Sequence, residues 1–257
     1  MRIKLIRNAT VFIEYAGKRF LIDPVLGGKG SFRAFGDSLR KDMKNPIVDL
    51  PIPMEEIINV DAVVITHMHL DHFDSAANEL LPRDKKVFVE NEEALKELEN
   101  SGFQDVEILS LDSKFHDIKL NRTPGQHGRG EVLEVIGNVC GVVFSHPDEK
   151  SLYIAGDTVW YKGVEDTINH YQPEIIVLNG GGNILMDEML VMGKDDILNV
   201  HRAKPDSKIV SVHMEAMNHW TLSRKDLRSF AEENGFSGSL FVPEDGEEIY
   251  FELTIDD

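Results

Sequence analysis

The sequence predicts an α/β protein in which two β-sheets pack face to face and helices cover them from outside. Three observations support this class. Short β-rich runs fill the first 22 residues, strand-like and helix-like segments alternate through the rest of the chain, and several apolar runs end directly in histidine or aspartate. The length of 257 residues and the lack of a low-complexity linker predict a single domain over residues 1–257.

The first elements form a hairpin and a third strand. Runs rich in β-branched and aromatic residues predict strands at 3–6, 10–15 and 19–22, and Ala16-Gly17-Lys18 is typical of the turn between the last two. Residues 27–50 carry glycines and mixed charge without periodicity. They predict a long loop, which in a compact domain often serves function.

The later elements alternate in type. A continuous apolar run at 62–65 predicts a strand buried on both faces, and it leads straight into a histidine cluster. Ser223 followed by Asp226 predicts an N-cap at the last helix. The remaining predicted strands are 86–89, 106–109, 118–122, 141–145, 152–155, 175–178, 209–212, 240–242 and 248–253, and the helices are 92–101, 163–170, 195–203 and 223–234.

Charge and cysteine content restrict the partners. The 27 basic and 45 acidic side chains give a net charge of −18, which repels nucleic acid and anionic membranes. We therefore expect a small-molecule substrate as partner, no nucleic acid and no membrane, and leave a homo-oligomer open. The only cysteine, Cys140, excludes a disulfide within the chain. It lies in an apolar stretch that predicts burial, and without a signal peptide or an apolar run of ~20 residues we expect a cytoplasmic protein.

The run from Thr66 to His72 predicts a metal site. His67 and His69 are two residues apart, so an extended backbone directs both rings to the same side. Asp71 and His72 follow after a turn and suit a second metal ion, ~3.5–4 Å from the first. A structural zinc site would use several cysteines. The alternative is a solvated histidine-rich loop.

Three residues elsewhere are candidates for completing the site. His127 lies between glycines that let the backbone approach a buried centre, and Asp157 and His213 each follow a predicted strand. His219, six residues beyond His213, either contacts the substrate or packs beside the site. The other histidines have the sequence context of surface or capping residues: His116, His146, His170 and His201.

The motif His-x-His-x-Asp-His, then a lone histidine, Gly-Asp-Thr and a histidine at a strand end resembles the metallo-β-lactamase superfamily. The match runs from Asp23 to His213. The opening residues and the Gln126-His127-Gly128 setting look like the metal-dependent hydrolase branch that includes the ascorbate-phosphate lactonase. The resemblance implies a four-layer αββα sandwich, two mixed β-sheets with helices outside, and metals at one edge.

The resemblance also implies roles for the site residues. It assigns one metal to His67, His69 and His127, and a second to Asp71, His72 and His213, with Asp157 bridging the two. It makes Asp23 a carboxylate that supports the histidine loop. Asn8 departs from the pattern, since many relatives have histidine there.

These residues predict a binuclear hydrolase. Two divalent ions, with zinc or manganese favoured over iron or nickel, would provide a metal-bound hydroxide that attacks a small ester, lactone or phosphorylated lactone. Asp71 would accept the proton of the water, and His219 is the candidate for contacting the substrate. The alternatives are a phosphodiesterase of the same fold and a non-catalytic metal-binding regulatory protein. The acidic charge disfavours nuclease and tRNA-processing activities.

Overall fold

Two seven-stranded sheets face each other in the computed structural model, which describes residues 1–36, 38–185 and 187–252. The apolar side chains between the sheets come from both, and they include Ile13, Phe20, Phe144 and Val177, each at most 2% exposed. Helices cover the outer face of each sheet. The predicted αββα sandwich is therefore confirmed.

The first sheet combines an antiparallel half and a parallel half. Strands β16, β1, β2 and β3 are antiparallel neighbours, and β3, β4, β5 and β6 are parallel neighbours. Their bounds are β1 Arg2–Arg7, β2 Thr10–Tyr15, β3 Lys18–Ile22, β4 Ala62–Val64, β5 Lys86–Val89, β6 Asp105–Ile108 and β16 Glu248–Tyr250.

The second sheet has the order β15-β14-β11-β10-β9-β8-β7. Strands β10, β11, β14 and β15 are parallel, whereas β7, β8 and β9 pair in antiparallel fashion. A separate small hairpin joins β12 and β13. The bounds are β7 Lys114–Phe115, β8 Ile118–Pro124, β9 Cys140–Ser145, β10 Leu152–Ile154, β11 Ile175–Asn179, β12 Ile184–Leu185, β13 Glu188–Met189, β14 Lys208–Val212 and β15 Leu240–Phe241.

The helices divide between the two outer faces. Helices α1 to α3 pack on the first sheet, and α5 to α7 pack on the second. None of the helices in the described part of the chain is long and apolar enough to cross a membrane. The bounds are α1 Met54–Ile57, α2 Ser75–Leu80, α3 Glu92–Asn100, α4 Leu133–Ile136, α5 Lys162–Tyr171, α6 Lys194–Ala203 and α7 Arg224–Glu233, with 3₁₀ turns at Gly130–Val132 and Ser237–Ser239.

The longer elements lie where the sequence predicts them. Ser223 caps α7, since its Oγ accepts a hydrogen bond from the Asp226 backbone N–H at 3.0 Å. Helices α1, α2 and α4 were not predicted, because helices of four to six residues are too short to show an apolar period. The predicted last strand ends at Tyr250, and its last predicted residue, 253, lies outside the described residues.

The strand directions place the site at one edge of the sandwich. Strand β8 is antiparallel to β9, and β9 is antiparallel to β10, so β8, β10 and the parallel β14 all end at the same edge of the second sheet. Strands β3 and β4 are parallel and end together in the first sheet. The segments after β4, β8, β10 and β14 carry the residues predicted to bind metal, and the segment after β3 begins with Asp23.

The long loop after β3 is held by a buried arginine. Arg7 is fully buried and donates hydrogen bonds to the carbonyl oxygens of Val48 at 3.0 Å, Val25 at 2.9 Å and Gly27 at 2.8 Å. Burial lowers the pKa of Arg7 to about 10, so the guanidinium stays charged at neutral pH. This side chain fixes both ends of the loop that contributes Phe35 to the site.

Replacing Arg7 with methionine is expected to lower the free energy of unfolding by about 3 kcal/mol, because three carbonyl groups, two of them buried, lose their donor. Urea unfolding of the purified protein measures the loss. The matched control is Arg19→Met, since Arg19 is partly exposed and its Nε lies 3.7 Å from Asp61. That change should cost less than about 1 kcal/mol. Equal losses for the two variants would contradict the structural role of Arg7.

Candidate metal centre

The seven residues predicted to bind metal lie together at one edge of the sandwich. They form three overlapping groups, and within each group one ligand atom of every residue lies within 4.8 Å of the ligand atoms of the others. The groups are His67, His69 and His127; Asp71, His72 and His213; and His67, His72 and Asp157. The second and third share His72, and the first and third share His67. This overlap suits two ions side by side.

Asp23 fixes the start of the histidine loop. Its Oδ1 accepts from the backbone N–H of Thr66 at 2.7 Å, and its Oδ2 accepts from Thr66 Oγ1 at 2.8 Å and from His72 Nδ1 at 2.9 Å. The loop then turns, because the backbone N–H of His72 donates to the carbonyl of His69 at 2.8 Å. Asp23 therefore contacts both ends of the motif, in the supporting position that the resemblance implied.

Outer hydrogen bonds set which nitrogen of each ring faces the centre. His72 Nδ1 donates to Asp23, His69 Nε2 donates to the Ile136 carbonyl at 2.9 Å, and His127 Nδ1 donates to the Leu190 carbonyl at 3.0 Å. The opposite nitrogen of each ring then carries the lone pair. Hydrogen bonds of this kind orient histidine ligands in metal sites.

The inner atoms lie close together. His67 Nε2 is 3.0 Å from His69 Nδ1, and His72 Nε2 is 3.2 Å from His213 Nε2. Asp157 Oδ2 lies 3.2 Å from His72 Nε2 and 3.4 Å from His127 Nε2. Lone pairs that converge at these distances repel one another unless a cation lies between them. The nitrogen and oxygen donor set therefore fits divalent ions such as zinc, manganese, iron or nickel.

The electrostatics favour the ligating forms of the carboxylates. Burial alone would raise the pKa of Asp157, but its contacts with the neighbouring His72 and His213 hold it well below its usual value. Burial alone would also raise the pKa of Asp71, but the hydrogen bond from His213 and the nearby His72 keep that pKa low. Both side chains therefore stay ionised, as metal ligands must be.

The histidines divide into two kinds. Burial and the neighbouring His72 lower the pKa of His67 well below its usual value, and burial lowers that of His127, so both rings stay neutral. Burial also opposes charge on His72, but Asp157 and Asp23 raise its pKa well above the usual value. The position of His72 is thus one at which the protein stabilises positive charge.

Close backbone contacts hold the Asp157 loop. Gly156 has φ +67°, and a Cβ atom there would lie 2.5 Å from the Cys140 carbonyl oxygen, so the position requires glycine. Cys140 itself is fully buried, as predicted. Asn179, at the end of β11, donates from Nδ2 to Asp157 Oδ1 at 2.6 Å. Asn179 was not among the predicted site residues, although it too ends an apolar strand.

Asn8 supports the centre through hydrogen bonds to the backbone of two predicted ligands. Its side-chain Nδ2 donates to the backbone carbonyl of Asp71 at 2.9 Å. The backbone carbonyl of Asn8 accepts from the backbone N–H of His213 at 2.8 Å. Asn8 is 1% exposed and is not among the residues that line the adjacent cavity. It therefore ties the segments of two predicted ligands together.

A cavity of about 260 Å³ opens onto the centre. Five of its lining residues are apolar, and the other five are His219 and four of the predicted ligands. The lining residues are Phe35, His69, Leu70, Asp71, His127, Ile136, Asp157, Leu185, Leu190 and His219.

His219 lies in the cavity wall. Its Nε2 is 3.8 Å from Asp71 Oδ2 and accepts a hydrogen bond from Asn183 Nδ2 at 2.9 Å. Its ring meets that of Phe35 edge to face, with centroids 4.8 Å apart. Burial lowers the pKa of His219 to about 4, so the ring is neutral at pH 7. Its predicted contact with substrate remains a prediction.

The other four histidines lie outside the three groups. His116 and His170 are exposed, and His146 and His201 are half-buried. His146 Nε2 lies 3.1 Å from Asp117 Oδ2 at the surface. The structure thus separates these four from the seven predicted ligands.

Comparison with known proteins gives concordant matches. The family profile described as beta-lactamase superfamily domain matches residues 18–214. The UPF0173 protein YddR of Bacillus subtilis is 54% identical over 98% of this chain and 100% of its own length. A crystal structure of an isothiocyanate hydrolase from Delia radicum gut bacteria has 39% identity and a TM-score of 0.93, covering 98% of this chain and 99% of that one. A possible metal-dependent hydrolase from Veillonella parvula has 37% identity and a TM-score of 0.93, covering 97% and 98%.

Proposed function

This chain belongs to the β-lactamase superfamily and is a metal-dependent hydrolase, and we propose that its substrate is a small, uncharged, apolar electrophile, with an isothiocyanate as the first candidate. The observation that carries the proposal is the cavity beside the predicted ligands. Five apolar side chains line it, and among the described residues no lysine or arginine does.

We further propose that two divalent ions occupy the centre. His67, His69 and His127 would hold one, Asp71, His72 and His213 would hold the other, and Asp157 would contact both. Bound divalent ions supply a water of lowered pKa and polarise the group under attack.

The cavity lining discriminates among the candidate substrates. A phosphorylated lactone carries negative charge beyond the reacting atoms, and sites for such a phosphate use arginine, lysine or a helix N-terminus. Leu70, Ile136 and Leu185 offer none of these. An uncharged substrate buries apolar surface against them instead, which is favourable by roughly 25 cal/mol per Å².

The side chains can support addition of water to an isothiocyanate carbon. The oxygen of water bonds to that carbon while Asp71, which is ionised and lines the cavity, accepts one proton. The proton then passes to the substrate nitrogen and gives a thiocarbamic acid, which still carries the second water proton. The carbon–nitrogen bond breaks with its electron pair on nitrogen, which takes up the second water proton. An amine and carbonyl sulfide leave, and Asp71 is again a carboxylate.

Similarity to a named enzyme supports this choice of substrate. The Delia radicum gut bacterial protein named isothiocyanate hydrolase matches almost the whole chain. A neutral ester or lactone is the second candidate, because the same apolar lining would accept it and the same attack on carbon would open it.

A substrate panel tests the proposal. With zinc or manganese present, we expect kcat/KM for phenethyl isothiocyanate to exceed that for a phosphorylated lactone or a phosphodiester by about 100-fold or more. Release of amine and carbonyl sulfide would be measured together. Preference for the phosphodiester would contradict the proposal, and metal binding without any turnover would favour the non-catalytic alternative.

A charge placed in the cavity wall sharpens the same test. Leu70 lines the cavity and is 44% exposed, so Leu70→Lys should reduce the preference for the uncharged substrate. Leu80 is 45% exposed and is not among the lining residues. Leu80→Lys is therefore the matched control, and it should leave the preference unchanged.

A further inference from the structure

We propose that Asn218 is a positioning residue that sets the Phe35 wall of the cavity and thereby selects substrates by size. The inference rests on the proposed function and concerns the same cavity. Asn218 is fully buried, precedes His219 in the chain, and is not among the residues that line the cavity. It therefore acts through the residues that it holds.

The side chain of Asn218 pairs with the backbone of Phe35. Its Oδ1 accepts from the Phe35 backbone N–H at 3.0 Å, and its Nδ2 donates to the Phe35 carbonyl at 3.0 Å. These two bonds have the pattern of the paired backbone hydrogen bonds between neighbouring antiparallel strands. They fix both the position and the rotation of the Phe35 backbone, and so the direction of the ring.

Further hydrogen bonds to the side-chain amide of Asn218 hold the same loop. Nδ2 also donates to the Arg40 carbonyl at 3.2 Å and to Ser38 Oγ, and Oδ1 also accepts from Asn45 Nδ2 at 2.8 Å. The Asn218 backbone N–H donates to Asn45 Oδ1 at 2.8 Å. The side-chain contacts together require a donor and an acceptor on the same group, so an isosteric side chain such as aspartate cannot replace the amide fully.

The two residues that follow Asn218 contact the same loop. His219 meets the Phe35 ring edge to face at 4.8 Å, and the Arg40 guanidinium lies 3.6 Å from the centroid of the Trp220 ring. Arg40 Nη1 also donates to the Trp220 carbonyl at 2.8 Å. Residues 218–220 thus carry one cavity residue, His219, and position another, Phe35. The distance between these two walls is set at Asn218.

The test compares Asn218→Asp with Phe35→Ala. Aspartate keeps the acceptor for Phe35 but places an oxygen opposite the carbonyls of Phe35 and Arg40, which moves the wall. We expect kcat/KM for phenethyl isothiocyanate to fall about tenfold in either variant, mainly through KM. Methyl isothiocyanate, which fits close to the ligands, should change by less than about twofold. The double variant should lose no more than Phe35→Ala alone, because both act at one wall.

A second measurement does not depend on turnover. Hydrogen exchange of the Phe35 amide, followed by NMR, should become about 100-fold faster in Asn218→Asp while the bound metal per chain stays unchanged. Asn234→Asp is the matched control, since Asn234 is exposed and its side chain donates to the Phe230 carbonyl at the end of α7.

The outcomes separate the two proposals. Equal losses for the large and the small substrate, or an unchanged exchange rate at Phe35, would overturn the role of Asn218. If no isothiocyanate is turned over by the unmodified protein, the proposed function fails, and the exchange rate still decides whether Asn218 positions Phe35.

Discussion

Asp71→Asn should lower kcat/KM by roughly three orders of magnitude while the protein stays folded. Asp71 is a predicted ligand that lines the cavity and lies beside two histidines, with Oδ2 3.4 Å from His213 Nε2 and 3.8 Å from His219 Nε2. An amide cannot accept the proton of the attacking water and is a weaker metal ligand. Loss of proton transfer alone costs about 10²–10⁴-fold.

The matched control is Asp117→Asn. Asp117 also pairs with a histidine, His146 at 3.1 Å, but this pair lies at the surface and away from the cavity. Circular dichroism and urea unfolding would confirm that both variants are folded. Turnover by Asp71→Asn at more than a tenth of the normal rate would contradict the assignment of Asp71.

Removal of bound metal should stop turnover and also destabilise the fold. An ion that binds only the folded chain adds about 2.7 kcal/mol when its free concentration is 100 times its Kd. Two such ions, bound by the groups around His67 and His72, therefore contribute roughly 5 kcal/mol. For a chain of this length we expect chelation to lower Tm by about 10 °C or more.

Elemental analysis should find two ions per chain, and zinc or manganese added after chelation should restore Tm and activity together. His67 belongs to two of the three groups, so His67→Ala should lower metal content and Tm, whereas His170→Ala, at an exposed site outside the groups, should change neither. A Tm that does not respond to a chelator that strips the metal would contradict the predicted contribution to stability.

The layers of the fold could be predicted because most strands and helices have a clear sequence pattern. The apolar run at 62–65 and the capped helix from Ser223 are examples, and both lie where expected. The short helices α2 and α4 could not be predicted, since one or two turns leave no periodic signal. They form through tertiary contacts; in α2, for example, the capping residue Asp74 also accepts hydrogen bonds from Leu26 and Gly27.

The candidate site also has residues that could be predicted from the sequence and residues that could not. Its predicted ligands follow apolar strands or stand between glycines, so each has a local signal that the chain order alone reveals. Asn183, Asn218 and Phe35 have no such signal, and Asn179, although it ends an apolar strand, is an amide and not a typical metal ligand. They act through contacts with segments far away in sequence, as Asn218 does with Phe35, and a single amide or aromatic residue in a loop has many other uses.

The metal centre draws on both sheets. Its histidine loop follows β4 of the first sheet, whereas His127, Asp157 and His213 follow β8, β10 and β14 of the second. Bound ions would therefore cross-link the two halves of the sandwich and close very long loops of chain, as a disulfide does in a secreted protein. With only Cys140, this chain has no disulfide of its own to do so. The same ions that would activate water would thus also cross-link the two sheets at the edge where the cavity opens.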